Sequence, residues 1–157
     1  MAKCLKANPG LANAPLVFGD GPIGSETHLP LSLTAFEGNA PIAALLIQAG
    51  ANVNAVDQHG QTALDNAVTF HRSQVVTLLV AHGADIEFKD TAGTMALQRA
   101  VMADDPDMVA LLLAHGANVN AQDVEGKTPL ALLRNSNIQG RNHPAILALL
   151  RQHGAKG

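Results

Sequence analysis

The sequence predicts an all-α fold, a solenoid of stacked helix–turn–helix pairs. The dipeptide Gly-Ala recurs at positions 50, 83, 116 and 154, and the first three copies share one constant spacing. These copies follow an apolar run at helical spacing and precede a polar turn, as in AHGADIEFKD and AHGANVNAQD. Hydrophobic residues make up 47% of the chain but aromatic residues only 3%, which favours thin, closely spaced helices. A fixed period of about 33 residues is typical of repeat arrays.

Residues 57–89 show how the turn and the first helix of a pair arise. Asp57 and Gly60 predict a tight turn, because an Asp carboxylate accepts nearby backbone N–H groups and Gly takes positive φ without strain. This turn before each first helix is named the finger turn below. Thr62 is a suitable N-cap, so a short first helix is predicted over residues 63–70.

The second helix of this pair is predicted over residues 73–82, with Ser73 as its cap and Gly83 ending it in the left-handed conformation. Neither helix is stable alone at this length, so each needs the next copy stacked against it. The same pattern predicts first helices near residues 30–37, 63–70, 96–103 and 129–135, and second helices near residues 40–49, 73–82, 106–115 and 144–153. One continuous apolar seam is predicted from Leu45, Leu46, Leu78, Leu79, Leu111, Leu112, Leu149 and Leu150.

A unit of about 33 residues with this order of elements resembles the ankyrin repeat, whose signature is T-P-L-H-x-A. The corresponding stretches are LPLS at residues 29–32, TALD at 62–65, MALQ at 95–98 and TPLA at 128–131. All four keep the central leucine, and none has the signature histidine. The resemblance, which covers residues 24–157, implies an ankyrin-repeat solenoid. In the family that histidine usually bonds turn to helix, so its absence predicts modest stability.

The predicted organisation is a single ankyrin-repeat domain over residues 1–157. Asn13-Ala14 aligns with Asn54-Ala55, which lies farther along the chain than one period, and the surplus falls in a stretch rich in Gly and Pro. The chain is therefore divided into an N-terminal half-repeat cap at 1–15 with a helix near 2–7, a loop insertion at 16–28, and repeats at about 24–56, 57–89, 90–122 and 123–157. The last repeat is longer than the others, and its extra length is predicted as a polar loop at 135–142.

Charge and composition argue against several classes of partner. The net charge of −3 provides no basic field for nucleic acid or for an anionic membrane surface. The longest apolar run is too short to span a bilayer. Cys4 is the single cysteine, so no internal disulfide can form, which favours a reducing cytoplasm. We therefore expect a cytoplasmic protein, a monomer by itself, whose partner is another protein.

Two groups of side chains raise the question of a metal or catalytic site. His82, His115 and His153 occupy equivalent places before a Gly, but layers about 10 Å apart cannot share an ion that needs ligands at about 2 Å. A solvent-facing column near helix C-termini is favoured instead. Asp105 lies in the acidic stretch 104–107 and could serve acid–base chemistry, yet Asp-Pro is a typical helix start. No metal, cofactor or catalytic residue is predicted.

The resemblance also implies where a partner docks, because ankyrin-like proteins usually bind on the concave side formed by finger turns and first helices. Carried onto this chain, the partner-binding residues are Phe36, Glu37, His59, Gln61, Thr69, Phe70, Phe88, Lys89, Thr91, Met102 and Glu125. Independently, the four aromatic residues, Phe18, Phe36, Phe70 and Phe88, all lie outside the predicted second helices. Aromatic residues are enriched at binding hot spots. The alternative is that Phe36 and Phe70 fill gaps between first helices.

These observations predict a non-catalytic protein-interaction module that acts as an adaptor or as an inhibitor. Small free-standing ankyrin proteins of bacteria are similar to this chain, and some are antagonists or immunity partners. One alternative is a structural spacer, a segment of a longer ankyrin array. A small enzyme is the less favoured alternative, because it requires a convergent polar cleft that the sequence does not indicate.

Overall fold

The fold is seen in a computed structural model that describes residues 9–18, 26–135 and 141–156. In these ranges the chain forms eight α-helices: α1 Pro30–Glu37, α2 Ala40–Gln48, α3 Ala63–Thr69, α4 Ser73–Ala81, α5 Ala96–Met102, α6 Pro106–Ala114, α7 Pro129–Asn135 and α8 His143–Gln152. The bounds of every helix agree with the predicted ones to within a single position. The predicted helix near residues 2–7 and most of the predicted loop at 135–142 lie outside the described residues.

The helices belong to two compact units, Met1–Ala84 and Asp85–Gly157. In the first unit, α1 packs on α3 and α2 packs on α4. In the second unit, α5 packs on α7 and α6 packs on α8. Each unit is thus two stacked helix pairs, and the all-α prediction is confirmed. The finer division into a cap, an insertion and four repeats stays a prediction.

The segment before α1 differs from the loop predicted at residues 16–28. After a short 3₁₀ helix at Pro9–Ala12, strands β1 (Leu16–Phe18) and β2 (Glu26–His28) pair antiparallel, with Leu16 opposite His28. The two ends of the segment, LVF and ETH, contain β-branched and aromatic residues that favour extended backbone. The loop prediction was wrong for residues 16–18 and 26–28. It was based on the Gly and Pro content of the whole segment, which outweighed the strand preference of two stretches of three residues each.

The leucine seam is half as wide as predicted. The second member of each pair is buried to 0–1% exposure, namely Leu46, Leu79, Leu112 and Leu150. The first members, Leu45, Leu78, Leu111 and Leu149, are only half-buried. Consecutive residues of a helix project about 100° apart, and in each of these pairs the second leucine points into the core while the first lies at its edge. Residues one turn earlier in the same helices complete each core, among them Ala43, Val75, Val76, Met108, Val109 and Ile146.

Two of the predicted helix caps are present. The Thr62 Oγ1 accepts a hydrogen bond from the Asp65 N–H at 3.3 Å, and the Asp65 Oδ2 accepts one from the Thr62 N–H at 2.9 Å. This reciprocal capping box satisfies two backbone donors at the start of α3. At α6, the Asp105 Oδ1 accepts from the Met108 N–H at 2.9 Å, with Pro106 as the first helical residue. Asp105 therefore has a structural role.

The predicted cap at Ser73 was wrong. Ser73 is the first residue of α4, and Arg72 occupies the cap position without a side-chain capping bond. The reason is the tight connection from α3, in which His71 takes a left-handed φ of 57° and the next helix begins at once. The Arg72 Nε instead donates to the Phe36 carbonyl at 3.0 Å, which ties α4 to the end of α1.

A bond between turn and helix is present although the signature histidine is absent. Gln98 occupies the histidine position of its repeat and is fully buried. Its Nε2 donates to the Lys127 carbonyl in the next finger turn at 2.8 Å, and its Oε1 accepts from the Met95 N–H at 3.1 Å. Both the nitrogen and the oxygen of this buried amide therefore have hydrogen-bond partners. The Gln98 side chain links turn to helix, as the signature histidine was expected to do.

Asparagine side chains link turns to the next copy within each unit. The Asn13 Nδ2 donates to the Gly50 carbonyl at 2.8 Å, and its Oδ1 accepts from the Asn52 N–H at 2.7 Å. Asn120 makes the same two bonds, to the Gly154 carbonyl at 3.1 Å and from the Lys156 N–H at 2.8 Å. The alignment of Asn13 with the later repeats is supported by this shared geometry.

Glu87 stands at the equivalent position, where its Oε1 accepts from the Asn118 N–H at 2.8 Å. A carboxylate has no N–H to donate to the Gly116 carbonyl. We expect Glu87→Asn to raise the free energy of unfolding by about 0.5–1.5 kcal/mol, the usual net value of one added hydrogen bond. Urea denaturation followed by circular dichroism measures the change. Glu87→Ala is the control, and an Asn variant no more stable than the Ala variant would contradict the second bond.

Candidate functional site

Three finger turns share one set of hydrogen bonds. In each, an aspartate Oδ1 accepts two backbone N–H groups, at 2.9 and 3.0 Å for Asp57, 2.8 and 2.9 Å for Asp90, and 2.9 and 2.8 Å for Asp123. The same aspartates donate their own N–H to the carbonyl at the far end of the turn. The predicted Asp–Gly turn is confirmed, and the backbone of each finger turn is held in one conformation.

The glycines of two of these turns differ in their surroundings. Gly93 and Gly126 have φ values of 72° and 76°, in the region that L side chains rarely adopt. A Cβ on Gly93 would lie 2.2 Å from the Val124 Cγ1, whereas a Cβ on Gly126 would meet no atom within 4 Å. Gly93 therefore permits the close approach of the next finger turn as well as the positive φ.

We expect Gly93→Ala and Gly126→Ala both to destabilise the fold, since each places a side chain at positive φ, at a cost of about 1–2 kcal/mol. Gly93→Ala should cost about 1 kcal/mol more, because Val124 must be displaced. Chemical denaturation of the two variants side by side isolates that difference. Equal losses would show that Val124 gives way without cost.

The two predicted aromatic anchors of the first unit form a pair. The ring centroids of Phe36, in α1, and Phe70, at the end of α3, lie 4.4 Å apart at an interplanar angle of 71°. This edge-to-face arrangement is favoured by the ring quadrupoles. Phe36 is nevertheless 46% exposed and Phe70 is 38% exposed. The rings therefore hold each other in place while a large part of each meets solvent.

The aromatic pair forms one wall of a groove with a volume of about 380 Å³. Four of the sequence-predicted site residues line it, namely Phe36, His59, Gln61 and Phe70. The remaining lining comes from β2, α1, the finger turn and α3, through His28, Ser32, Leu33, Asp57 and Asn66. The groove thus lies where the finger turn meets two first helices of the same unit.

The remaining predicted site residues are outside this groove. Glu37 and Thr69 belong to the first unit but do not line it. Each is the chain neighbour of a lining phenylalanine, and consecutive helical residues project in different directions. Phe88, Lys89, Thr91, Met102 and Glu125 belong to the second unit. Among these, Met102 is 41% exposed.

The Glu125 carboxylate in the second unit forms an ion pair with the Lys127 ammonium. The hydrogen bond that the ammonium donates to this carboxylate, together with the charge of the carboxylate, raises the pKa of the Lys127 amine above its usual value. The Lys127 side chain is 41% exposed and the Glu125 side chain 65% exposed, so solvent screens the pair and it contributes little to stability. The ion pair acts locally, because the two opposite charges partly cancel each other at this finger turn.

Several lining residues are absent from the sequence-predicted site. The sequence assigns Asp57 to the turn alone, yet its second oxygen faces α3 and accepts from the Asn66 Nδ2 at 3.3 Å. Ser32 and Leu33 lie on α1, one turn before Phe36. Ser32 and Leu33 could have been predicted from Phe36 by helical spacing, because side chains three or four positions apart lie on the same face of a helix.

The histidines at the ends of second helices are exposed, as predicted. The Nδ1 atoms of His82 and His153 lie 2.9 Å from the carbonyls of Leu78 and Leu149, one turn earlier. Within the part of the chain that the structure describes, no three His, Cys, Asp or Glu side chains are grouped to hold a metal ion. None of the helices described has the length and apolarity to cross a bilayer.

Helix pairs joined by finger turns and stacked on one another within each unit define a tandem-repeat protein. The family model described as "Ankyrin repeats (3 copies)" matches residues 4–90 and 83–156. The chain belongs to the ankyrin-repeat family. Ankyrin repeats generally mediate protein–protein interaction and are typically non-catalytic. No curated protein matches this chain.

Proposed function

We propose that this protein binds a partner protein through the groove of the first unit and acts by binding alone. The observation that carries the proposal is the Phe36–Phe70 pair, two aromatic rings at 46% and 38% exposure in contact with each other. Exposed aromatic side chains in a concave setting are the typical anchors of binding hot spots. A pair that only filled a gap between first helices would be covered.

The rigidity of the groove supports the same function. Its finger turn is held by two bonds to the Asp57 Oδ1, and α1 is held at its end by the bond from Arg72 to the Phe36 carbonyl. The capping box of Thr62 fixes the start of α3. Side chains on a preorganised backbone lose less entropy on binding, so more of the contact energy appears as affinity.

The finer role we infer is that of an adaptor or of an inhibitor or immunity-type antagonist, either of which requires only the covering of a partner's surface. Phe88, Lys89, Thr91, Met102 and Glu125 in the second unit, with Glu37 and Thr69 in the first, are proposed as further contacts. The net charge of −3 supports a protein partner over nucleic acid or an anionic membrane. We further infer a monomer by itself, and its single cysteine supports a cytoplasmic location.

Site-specific photo-crosslinking tests the proposal against every protein that the native source contains. A benzophenone side chain is placed at His59, which is exposed and lines the groove, and in a second sample at Thr77, which is exposed on α4 of the same unit. Both proteins are irradiated in extract of the native source. We expect a defined crosslinked protein from the His59 site that is absent from the Thr77 site and is competed by unlabelled protein.

Two results would count against the groove. Crosslinking from Thr77 but not from His59 would place the interface on the second helices. The second result concerns competition. If excess unlabelled Phe70→Ala protein suppresses the His59 product as well as excess wild-type protein does, the aromatic pair is not needed for binding. Circular dichroism of each labelled protein confirms that the fold is retained.

A further inference from the structure

We propose that the groove of the first unit receives an arginine side chain presented by a segment of the partner protein. This inference rests on the function proposed above and adds the chemistry of the recognised residue. It follows from the combination of two aromatic rings, one carboxylate and several uncharged acceptors in the same groove, without any lysine or arginine among the described residues that line it.

The charge of the groove is negative. Asp57 is the one Asp or Glu among the described lining residues, which otherwise comprise apolar side chains, a hydroxyl, two amides and two imidazoles. The Asp57 Oδ1 accepts the N–H groups of His59 and Gln61, and its Oδ2 accepts a longer bond from the Asn66 Nδ2 at 3.3 Å. An ionised carboxylate oxygen offers about two acceptor positions, so Oδ2 has capacity for a further donor.

The aromatic wall favours a cation with an apolar body. A cation over the face of a phenyl ring is attracted by the ring quadrupole. The aliphatic stem of a long cationic side chain also packs on apolar surface while its charged end stays beside polar groups. Phe36, Phe70 and Leu33 supply the apolar surface, and Asp57 supplies the opposite charge.

The further acceptors favour a guanidinium over an ammonium. Ser32, Gln61 and Asn66 place a hydroxyl and two amides in the lining around Asp57. A guanidinium is planar, stacks on aromatic rings and carries five N–H donors in a fixed fork, whereas an ammonium is a compact point charge with stronger hydration. Two partly exposed phenyl rings with dispersed acceptors beside them therefore match arginine better than lysine.

The nearby arginine of the protein itself is directed elsewhere. The Arg72 Nε donates to the Phe36 carbonyl, and its side chain lies against Gly38. Together with Gly38 and Ser73 it lines a different depression, at the start of α4. The guanidinium of this chain that lies closest in sequence to Phe70 is thus absent from the groove lining, and an external one can enter.

The probe is a displayed library of random short peptides, selected on wild-type protein and counter-selected on Phe70→Ala. The best peptide is then synthesised with each arginine replaced in turn by citrulline, which keeps the shape and removes the charge. We expect enrichment of arginine, and at one position a loss of affinity of at least about tenfold on citrulline substitution, as removal of a charge-assisted contact predicts. Titration calorimetry provides the affinities.

Asp57→Asn tests the carboxylate. The substitution keeps the Oδ1 acceptor for the finger turn and removes the charge, together with the Oδ2 acceptor for the Asn66 Nδ2. We expect it to weaken the arginine peptide by about tenfold and to abolish most of the difference between arginine and citrulline, which is the signature of a direct coupling. Asp123→Asn is the matched control, because Asp123 makes the same turn bonds in the second unit but does not line the groove.

The outcomes separate this inference from the function on which it rests. Peptides that depend on Phe70 but show no arginine, that prefer lysine equally, or that tolerate citrulline without loss would overturn the arginine site and leave protein binding by the groove intact. The arginine site is equally overturned if Asp57→Asn and Asp123→Asn behave alike. If the counter-selection on Phe70→Ala leaves no peptide that binds the wild-type protein, both the groove function and the arginine site are wrong.

Discussion

Leu79→Ala and Leu112→Ala will each lower the free energy of unfolding by about 2–5 kcal/mol. Both leucines are fully buried, Leu79 in the first unit and Leu112 in the second. The loss combines the transfer free energy of the deleted methyl groups with the cost of the cavity that remains, because the packed side chains around each leucine relax only in part. Urea denaturation followed by circular dichroism gives the values.

Leu78→Ala and Leu111→Ala are the matched controls, since they remove the same atoms from adjacent, half-buried positions of α4 and α6. We expect them to cost clearly less than their buried neighbours. A loss below about 1 kcal/mol for Leu79→Ala, or equal losses within a pair, would show that the buried stripe is assigned to the wrong face.

The helices could be predicted from sequence because their signals are local and repeated. Helical spacing of apolar residues, a cap such as Thr62 or Asp105, and a glycine at the end of each second helix all act within one turn of the chain. The spacing shared by the first three Gly-Ala copies then gives matching bounds in those copies, and the same local signals place the helices of the longer last repeat. Such agreement between local preference and global packing is what allows the ends of the helices to be predicted closely.

The wrong predictions concern features that depend on tertiary contacts, which the repeat pattern of the sequence does not encode. A pair of leucines marks the apolar face of a helix, but which member points into the neighbouring layer depends on a rotation of about 100° that only packing decides. Ser73 fits a cap by residue type, yet the left-handed His71 shortens the connection and makes Ser73 a helical residue. In the hairpin, the pairing of Leu16 with His28 joins residues across a segment without a repeat to guide it.

The candidate site was partly predictable for the same reason. Phe36 and Phe70 are marked in the sequence by their place at the ends of first helices, and the stacking of α1 on α3 brings their rings together. Asp57 escapes prediction as a site residue because a structural role in the turn already explains it. One oxygen serves the turn, the other accepts from the Asn66 amide, and the residue lines the groove, so a single carboxylate supports both structure and a candidate binding role.

Phe70→Ala will weaken binding of the partner by about 2 kcal/mol or more while the fold is retained. The ring has a large exposed area available to a partner, and it is paired edge-to-face with Phe36. Its loss removes the anchor and also releases the Phe36 ring, so both halves of the aromatic wall are affected. The protein captured from the His59 site, titrated against wild type and variant, provides the measurement.

Arg151→Ala is the control, because Arg151 is exposed on α8, a second helix of the other unit, and should have little effect on affinity. Circular dichroism and thermal unfolding of both variants establish that each is folded. Normal binding by Phe70→Ala together with weakened binding by Arg151→Ala would move the interface to the second helices. Unfolding of Phe70→Ala would instead assign the aromatic pair to the core, since a half-exposed ring that only binds a partner contributes modestly to the stability of the free protein.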